Sequence, residues 1–78
     1  MNNKITELTI KIGIRIKIER IRKKISQEKL AEFSDLNKNT IGSIERGEIS
    51  PTIETLNSIA KGLDIGLPDL VDISKINI

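Results

Sequence analysis

SQEKLAEFSDLNKNTIGSIERG, residues 26–47, encodes two short amphipathic helices and the turn that joins them. Ser26 is a good N-cap for a helix over Gln27–Ser34, and Glu28 lies in its first turn, where the helix dipole favours a carboxylate. Leu30 and Ala31 fall on the inward side. Asp35 and Leu36 make a tight turn, and Asn37 caps a second helix, Lys38–Arg46, whose Ile41 and Ile44 share one face. Gly47 stops that helix by supplying a left-handed residue at its C-terminus.

Toward the C-terminus, Glu48–Pro51 reads as a loop. Ser50-Pro51-Thr52 opens a further helix, with the proline tolerated in its first turn. Ile53, Leu56, Ile59, Ala60 and Leu63 form its predicted buried stripe, and Gly62 is a weak spot near its end. Leu67-Pro68-Asp69-Leu70-Val71 begins a short last helix, and residues 72–78 (DISKINI) form an apolar-alternating tail.

Toward the N-terminus the pattern is double. Residues 1–9 read as a polar arm or the fraying start of a helix. Ile10, Ile12, Ile14, Ile16 and Ile18 alternate as a strand would, yet Ile10, Ile14, Ile18, Ile21 and Ile25 step at helical spacing. The stretch exceeds a typical strand and continues into ERIRKK, rich in good helix formers. The expectation is therefore a helix with no strand across residues 10–18. Ile12 and Ile16 fall opposite the stripe.

The 78 residues make one domain with a thin core. With no cysteine there is no disulfide or thiolate metal site, and with no histidine the usual general base and zinc ligand are missing. No nucleophile–base pair, glycine-rich phosphate loop or metal constellation stands out, so the expectation is a non-enzyme without cofactor or metal. The apolar runs are too short to span a bilayer and no signal-type segment follows the start, so a cytoplasmic protein without membrane contact is expected. Phe33 is the only aromatic residue, which leaves no stacking platform for single strands. Net charge is +2, but residues 1–47 hold eleven Lys/Arg against six Asp/Glu, and residues 48–78 hold two against five. Such asymmetry fits a polyanion on one face, or merely an unevenly charged solvated surface.

Two short helices joined by a three- or four-residue turn constitute a helix-turn-helix unit, a corner that many bundles share. Here the detail goes further. Ser26-Gln27-Glu28-Lys29-Leu30-Ala31, Leu36-Asn37-Lys38-Asn39-Thr40-Ile41, Ile44-Glu45-Arg46-Gly47, Ser50-Pro51-Thr52 and Leu56…Ile59-Ala60-Lys61-Gly62-Leu63 together closely resemble the Cro/phage-repressor (XRE) family, over roughly residues 12–71. The resemblance implies an all-α, compact five-helix lambda-repressor-like domain over residues 10–71, between an arm (1–9) and a tail (72–78) that is a candidate for dimerisation. Helices 2 and 3 would form the helix-turn-helix.

By that resemblance helix 2 crosses the DNA backbone, with Ser26 and Gln27 at its N-terminus near a phosphate, and helix 3 enters the major groove. Lys38, Asn39 and Ser43 match the usual base readers, with Thr40 beside them at the rim; Asn37 and Arg46 match backbone-contacting positions. Ser26 and Asn37 would also serve as N-caps in any helical protein. The resemblance further implies a structural salt bridge between Arg20 and Glu45. Asp35 stands where the family usually has glycine, Gly42 interrupts helix 3, and Glu19 replaces a common apolar residue of helix 1. The family register also implies that Ile12 and Ile16 face the core, which leaves Ile14, Ile18 and Ile21 as a second apolar face without an assigned partner.

The function implied is a sequence-specific transcriptional regulator of double-stranded DNA, of repressor or restriction-modification controller type, acting as a homodimer on a near-palindromic operator. Ile65, Leu67, Leu70, Val71 and Ile73 are the candidate dimer surface, with the second isoleucine face of helix 1 as its rival. The alternative is an antitoxin-type interaction module that neutralises a toxin partner and autoregulates its operon.

Overall fold

In the computed structural model, which describes residues 5–76, the elements run α1 (Glu7–Arg22), α2 (Gln27–Ser34), α3 (Lys38–Glu45), α4 (Ile53–Leu63) and α5 (Leu67–Leu70). A 3-10 turn (Ile73–Lys75) follows. The described residues contain no strand, and residues 10–18 are helical throughout. Helix α1 begins at Glu7, because the Thr6 hydroxyl accepts from the Thr9 N–H at 3.2 Å. Residues 7–9, read above as part of an arm or of the fraying start of a helix, are thus its first turn, and residues 1–4 lie outside the described residues.

The local signals explain most helix boundaries. Ser26 accepts from Lys29 N–H at 2.9 Å, Asn37 from Asn39 N–H at 2.7 Å and Thr52 from Thr55 N–H at 3.1 Å. The Thr52 cap corrects the expected start of α4: Pro51 precedes the helix and is not in its first turn. Ile53, now the first helical residue, is 63% exposed and leaves the expected stripe. Each of the first four helices ends on a left-handed residue, namely Lys24, Asp35, Gly47 and Asp64. The next N–H then reaches back across the last turn, as Leu36 to the Ala31 carbonyl and Ile65 to that of Ala60. Asp35 takes the conformation the family's glycine would, at φ 55°.

The core gathers Leu30 and Ala31 of α2, Ile41 and Ile44 of α3, and Leu56, Ile59, Ala60 and Leu63 of α4 around Ile12 and Ile16 of α1. Helix α2 packs on both α3 and α4, while α1 crosses α3 and carries the 3-10 turn on its flank. Gly62, expected as a weak spot, is a crossing point. A Cβ there would stand 2.3 Å from the Ser34 hydroxyl, so α4 lies closely on α2 through it.

The five-isoleucine stripe is not the buried face of α1; Ile12 and Ile16, which the family register turns toward the core, are. Ile10 and Ile21 are exposed, Ile14 and Ile18 are half-buried, and Ile25 packs only partly against the core from the turn after the helix. Two causes set the observed rotation. Gly13 lets α1 approach the end of α3 so closely that a Cβ would lie 2.2 Å from the Ile44 carbonyl oxygen. The inner face also carries charge that a count of apolar residues scores as outward. Arg15, 4% exposed, pairs with Glu19 and donates to the Asp69 carbonyl at 3.1 Å, and Glu19 also accepts from Arg22 at 2.9 Å. Glu19 thus keeps a place in the interior by being paired.

The C-terminal part is committed to the monomer more than its sequence implied. Leu70 is fully buried in the core and presents nothing to a second chain, which removes it from the candidate dimer surface. Ile65, Leu67 and Ile73 pack partly against the core, and Val71 is exposed. The tail is not free either. Ile76 is buried, Asp69 binds Lys75 and Arg15, and the Lys75 ammonium holds the Asp69 carboxyl below the usual carboxylate range. Asn77 and Ile78 lie outside the described residues.

Candidate nucleic-acid interface

Helix α3 turns Ile41 and Ile44 into the core, and the opposite face follows from helical spacing. Asn39 and Arg46 are exposed on that face, with Ser43 half-buried between them. Thr40 is half-buried at its edge, and Lys38 is exposed in the first turn. Asn39, Ser43 and Arg46 therefore share one outward strip with Thr40 at its edge, and Lys38 lies off it in the exposed first turn. Their donors and acceptors suit base edges: lysine donates to guanine, asparagine serves adenine with both amide groups, and hydroxyls serve either role. Lys38 enters no ion pair among the described residues, so its charge is uncompensated locally.

The strip is held from behind by a buried polar contact. Arg20 donates from Nε to Glu45 Oε2 at 2.7 Å and from Nη2 to Oε1 at 3.1 Å, with the Glu45 side chain 2% exposed. Arg20 Nη1 also donates to the Ile25 carbonyl at 2.9 Å, which fixes the turn into α2. Gln27 Nε2 donates to Glu45 Oε1 at 3.0 Å. One carboxylate at the end of α3 therefore ties together α1, α3 and the first residue of α2. Gln27, read from sequence as a backbone contact, spends its amide on this tie. At the N-terminus of α2 the Ser26 hydroxyl oxygen is taken by the Lys29 N–H as the cap, and the helix dipole there favours an anion.

Three features here escaped the sequence reading. The sequence reading gave Gly13 no role, and the crossing with α3 supplies one. Lys23 and Lys24, exposed and without an ion pair among the described residues, stand just before the Ser26 cap. The ERIRKK run signalled them as basic but not as placed. Glu48, taken as a loop residue, grips Arg46: Nε donates to Oε2 at 2.8 Å and Nη2 to Oε1 at 3.1 Å. Gly42 is buried beneath side chains, with the Arg46 guanidinium and the Gln27 amide oxygen lying over it.

Elsewhere, a depression between α1 and α4 is lined by Leu8, Thr9, Ile12, Ser50, Pro51 and Leu56 and carries no ionisable side chain. Among the described residues, no three acidic, histidine or cysteine side chains come together as a metal site would require. No helix of the described residues is long and apolar enough to cross a membrane.

A helix-turn-helix family model matches residues 16–70. The chain is similar to control protein C.SmaI of Serratia marcescens, 47% identical over 47 residues covering 60% of this chain and 56% of that protein. It is also similar to the immunity repressor protein of Bacillus phage phi105, 35% identical over 60 residues, 77% of this chain and 42% of that protein. The chain thus spans about half the length of these curated relatives. Among solved structures, the restriction-modification controller protein C.AhdI of Aeromonas hydrophila superposes with a TM-score of 0.78 at 34% identity, covering 80% of this chain and 94% of that one. The model match takes in α2, the turn and α3 together with the Arg20–Glu45 tie behind them, and on that ground the chain belongs to the helix-turn-helix family of Cro/phage-repressor (XRE) type.

Proposed function

We propose that the chain is a sequence-specific regulator of transcription that binds double-stranded DNA as a dimer on a near-palindromic operator, in the manner of a restriction-modification controller or phage repressor. The observation that carries this is the outward strip of α3. Asn39, Ser43 and Arg46 lie opposite Ile41 and Ile44, with Lys38 exposed in the first turn, while Glu45 anchors the same helix from behind. Selection of bound sites from random duplexes tests it. A near-palindromic consensus is expected, and a pool without enrichment would overturn the reading.

Within that reading α3 divides by chemistry. Lys38→Ala and Asn39→Ala are expected to change base preference, each costing about 1–3 kcal/mol on the preferred site. Arg46→Ala is expected to weaken binding evenly across sequences and to flatten the salt dependence by about one unit of slope. Titration of matched and base-substituted duplexes separates the two. A preference altered by Arg46→Ala but not by Lys38→Ala would reverse the assignment.

One domain of this kind reads few base pairs, so a two-fold pair with half-sites about 34 Å apart is the economical arrangement. The C-terminal surface supports it through Val71, with the exposed edges of Ile65, Leu67 and Ile73 beside it. Val71→Asp is expected to sediment as a monomer and Ile18→Asp as a dimer. The reverse result would move the interface to α1.

The exposed Ile10 and Ile21, with Ile14 and Ile18 between them, favour one second reading, a module that docks a protein such as a toxin on α1. Enrichment of no duplex, combined with a stable complex formed through this face, would select it.

A further inference from the structure

Arg46 closes α3 as its C-cap, and in the free protein its guanidinium is already engaged. Glu48 takes Nε and Nη2 in a two-pronged pair, with both side chains more than half exposed. Nη1 points the other way: a Cβ built on Gly42 would lie 2.9 Å from it. The edge turned away from the helix is therefore the one that the carboxylate covers. Glu48 is placed there by the end of the helix itself. Gly47 takes φ 72°, and the Glu48 N–H then reaches the Ser43 carbonyl at 2.9 Å.

We propose that Glu48 is an intramolecular stand-in for a DNA phosphate, occupying the Arg46 fork until the sugar–phosphate backbone displaces it, and so limiting affinity for duplexes of any sequence. The proposal rests on the reading of Arg46 as a phosphate contact. A carboxylate and a phosphate present the same pair of oxygens to a guanidinium edge, so one excludes the other there. Once displaced, Glu48 stands beside the phosphate as a like charge. The Arg46 hydrogen bond holds the Glu48 carboxyl below the usual carboxylate range, so the competitor is ionised at neutral pH. The pair is exposed and individually weak, which makes it a graded brake. It acts evenly across sequences, because phosphate contacts position the protein without reading bases.

The test is binding of a mixed-sequence duplex over a range of salt concentrations by the wild type, Glu48→Gln, Arg46→Ala and the double variant. Circular dichroism checks that each keeps its helices. Glutamine keeps the size of the side chain and removes its charge. Glu48→Gln is expected to bind about two- to fivefold tighter per protomer. Its salt slope is expected to steepen by up to about one unit, and the gain should vanish when Arg46 is absent. An equal gain without Arg46 would reduce Glu48 to a general negative charge and overturn the competition. Unchanged or weaker binding by Glu48→Gln would also overturn it, the latter by making Glu48 a support for Arg46. The underlying contact fails separately: Arg46→Ala would then leave affinity unchanged. Weakening by Arg46→Ala with no gain from Glu48→Gln leaves the contact standing and removes the competition alone.

Discussion

Glu45→Ala is expected to cost about 3 kcal/mol of folding stability, the low end for a broken buried pair, because it leaves the largely covered Arg20 guanidinium without its carboxylate. Gln27 loses its acceptor at the same time. A chain of this size has about 4–12 kcal/mol in all, so the variant sits near the edge of folding and loses DNA binding with it. The discriminating comparison is Arg20→Met combined with Glu45→Leu. Replacing both charges by apolar groups of similar volume removes the stranded ion, and stability should return close to that of the wild type or above it. Denaturant midpoints at constant slope measure both variants. A Glu45→Ala variant within about 1 kcal/mol of wild type would mean that Arg20 finds water or another partner as readily as it finds Glu45.

Gly13→Ala is expected to destabilise by about 3 kcal/mol, at the upper end of overpacking costs. The added carbon would lie 2.2 Å from the Ile44 carbonyl oxygen and 3.1 Å from that of Glu45. Both obstacles are backbone, so no rotamer change relieves the contact and α1 must lift off α3. At an unobstructed helix position the same substitution would gain up to about 1 kcal/mol. Gly42→Ala provides the contrast within one chain. Its new carbon meets Arg46 Nη1 at 2.9 Å, the far end of a flexible side chain that can move aside. Thermal unfolding of the two variants should therefore shift in different senses, Gly13→Ala sharply down and Gly42→Ala little changed or up. Equal behaviour would show that α1 does not depend on this crossing for its position.

Local signals along the chain specify the elements and the motif. Caps at Ser26 and Asn37, the left-handed stop at Gly47 and the paired apolar positions of α2, α3 and α4 are local signals that act within one or two turns. They read correctly because few tertiary alternatives compete with them. The helical state of residues 10–18 was also decided locally, by length and by the helix formers that follow. The outward strip of α3 followed from Ile41 and Ile44, since fixing the buried face fixes the opposite one.

The apolar pattern of α1 offered two faces; the family resemblance turned Ile12 and Ile16 to the core, and tertiary contacts supply the physical reason. The rotation of the helix depends on a glycine meeting two carbonyls and on ionic groups that bury in pairs, Arg15 with Glu19 and Arg20 with Glu45. The partners in the Arg20–Glu45 tie are 25 positions apart in the chain, and Arg15 reaches Asp69 over 54. Composition scores such residues as solvent-facing, because an isolated charge belongs in water and only a partner supplied by another helix reverses that. Leu70 moved from the expected dimer surface into the core by packing alone. Its apolar side chain stated that it would be covered, and only the packing of α5 settled that the cover comes from its own chain.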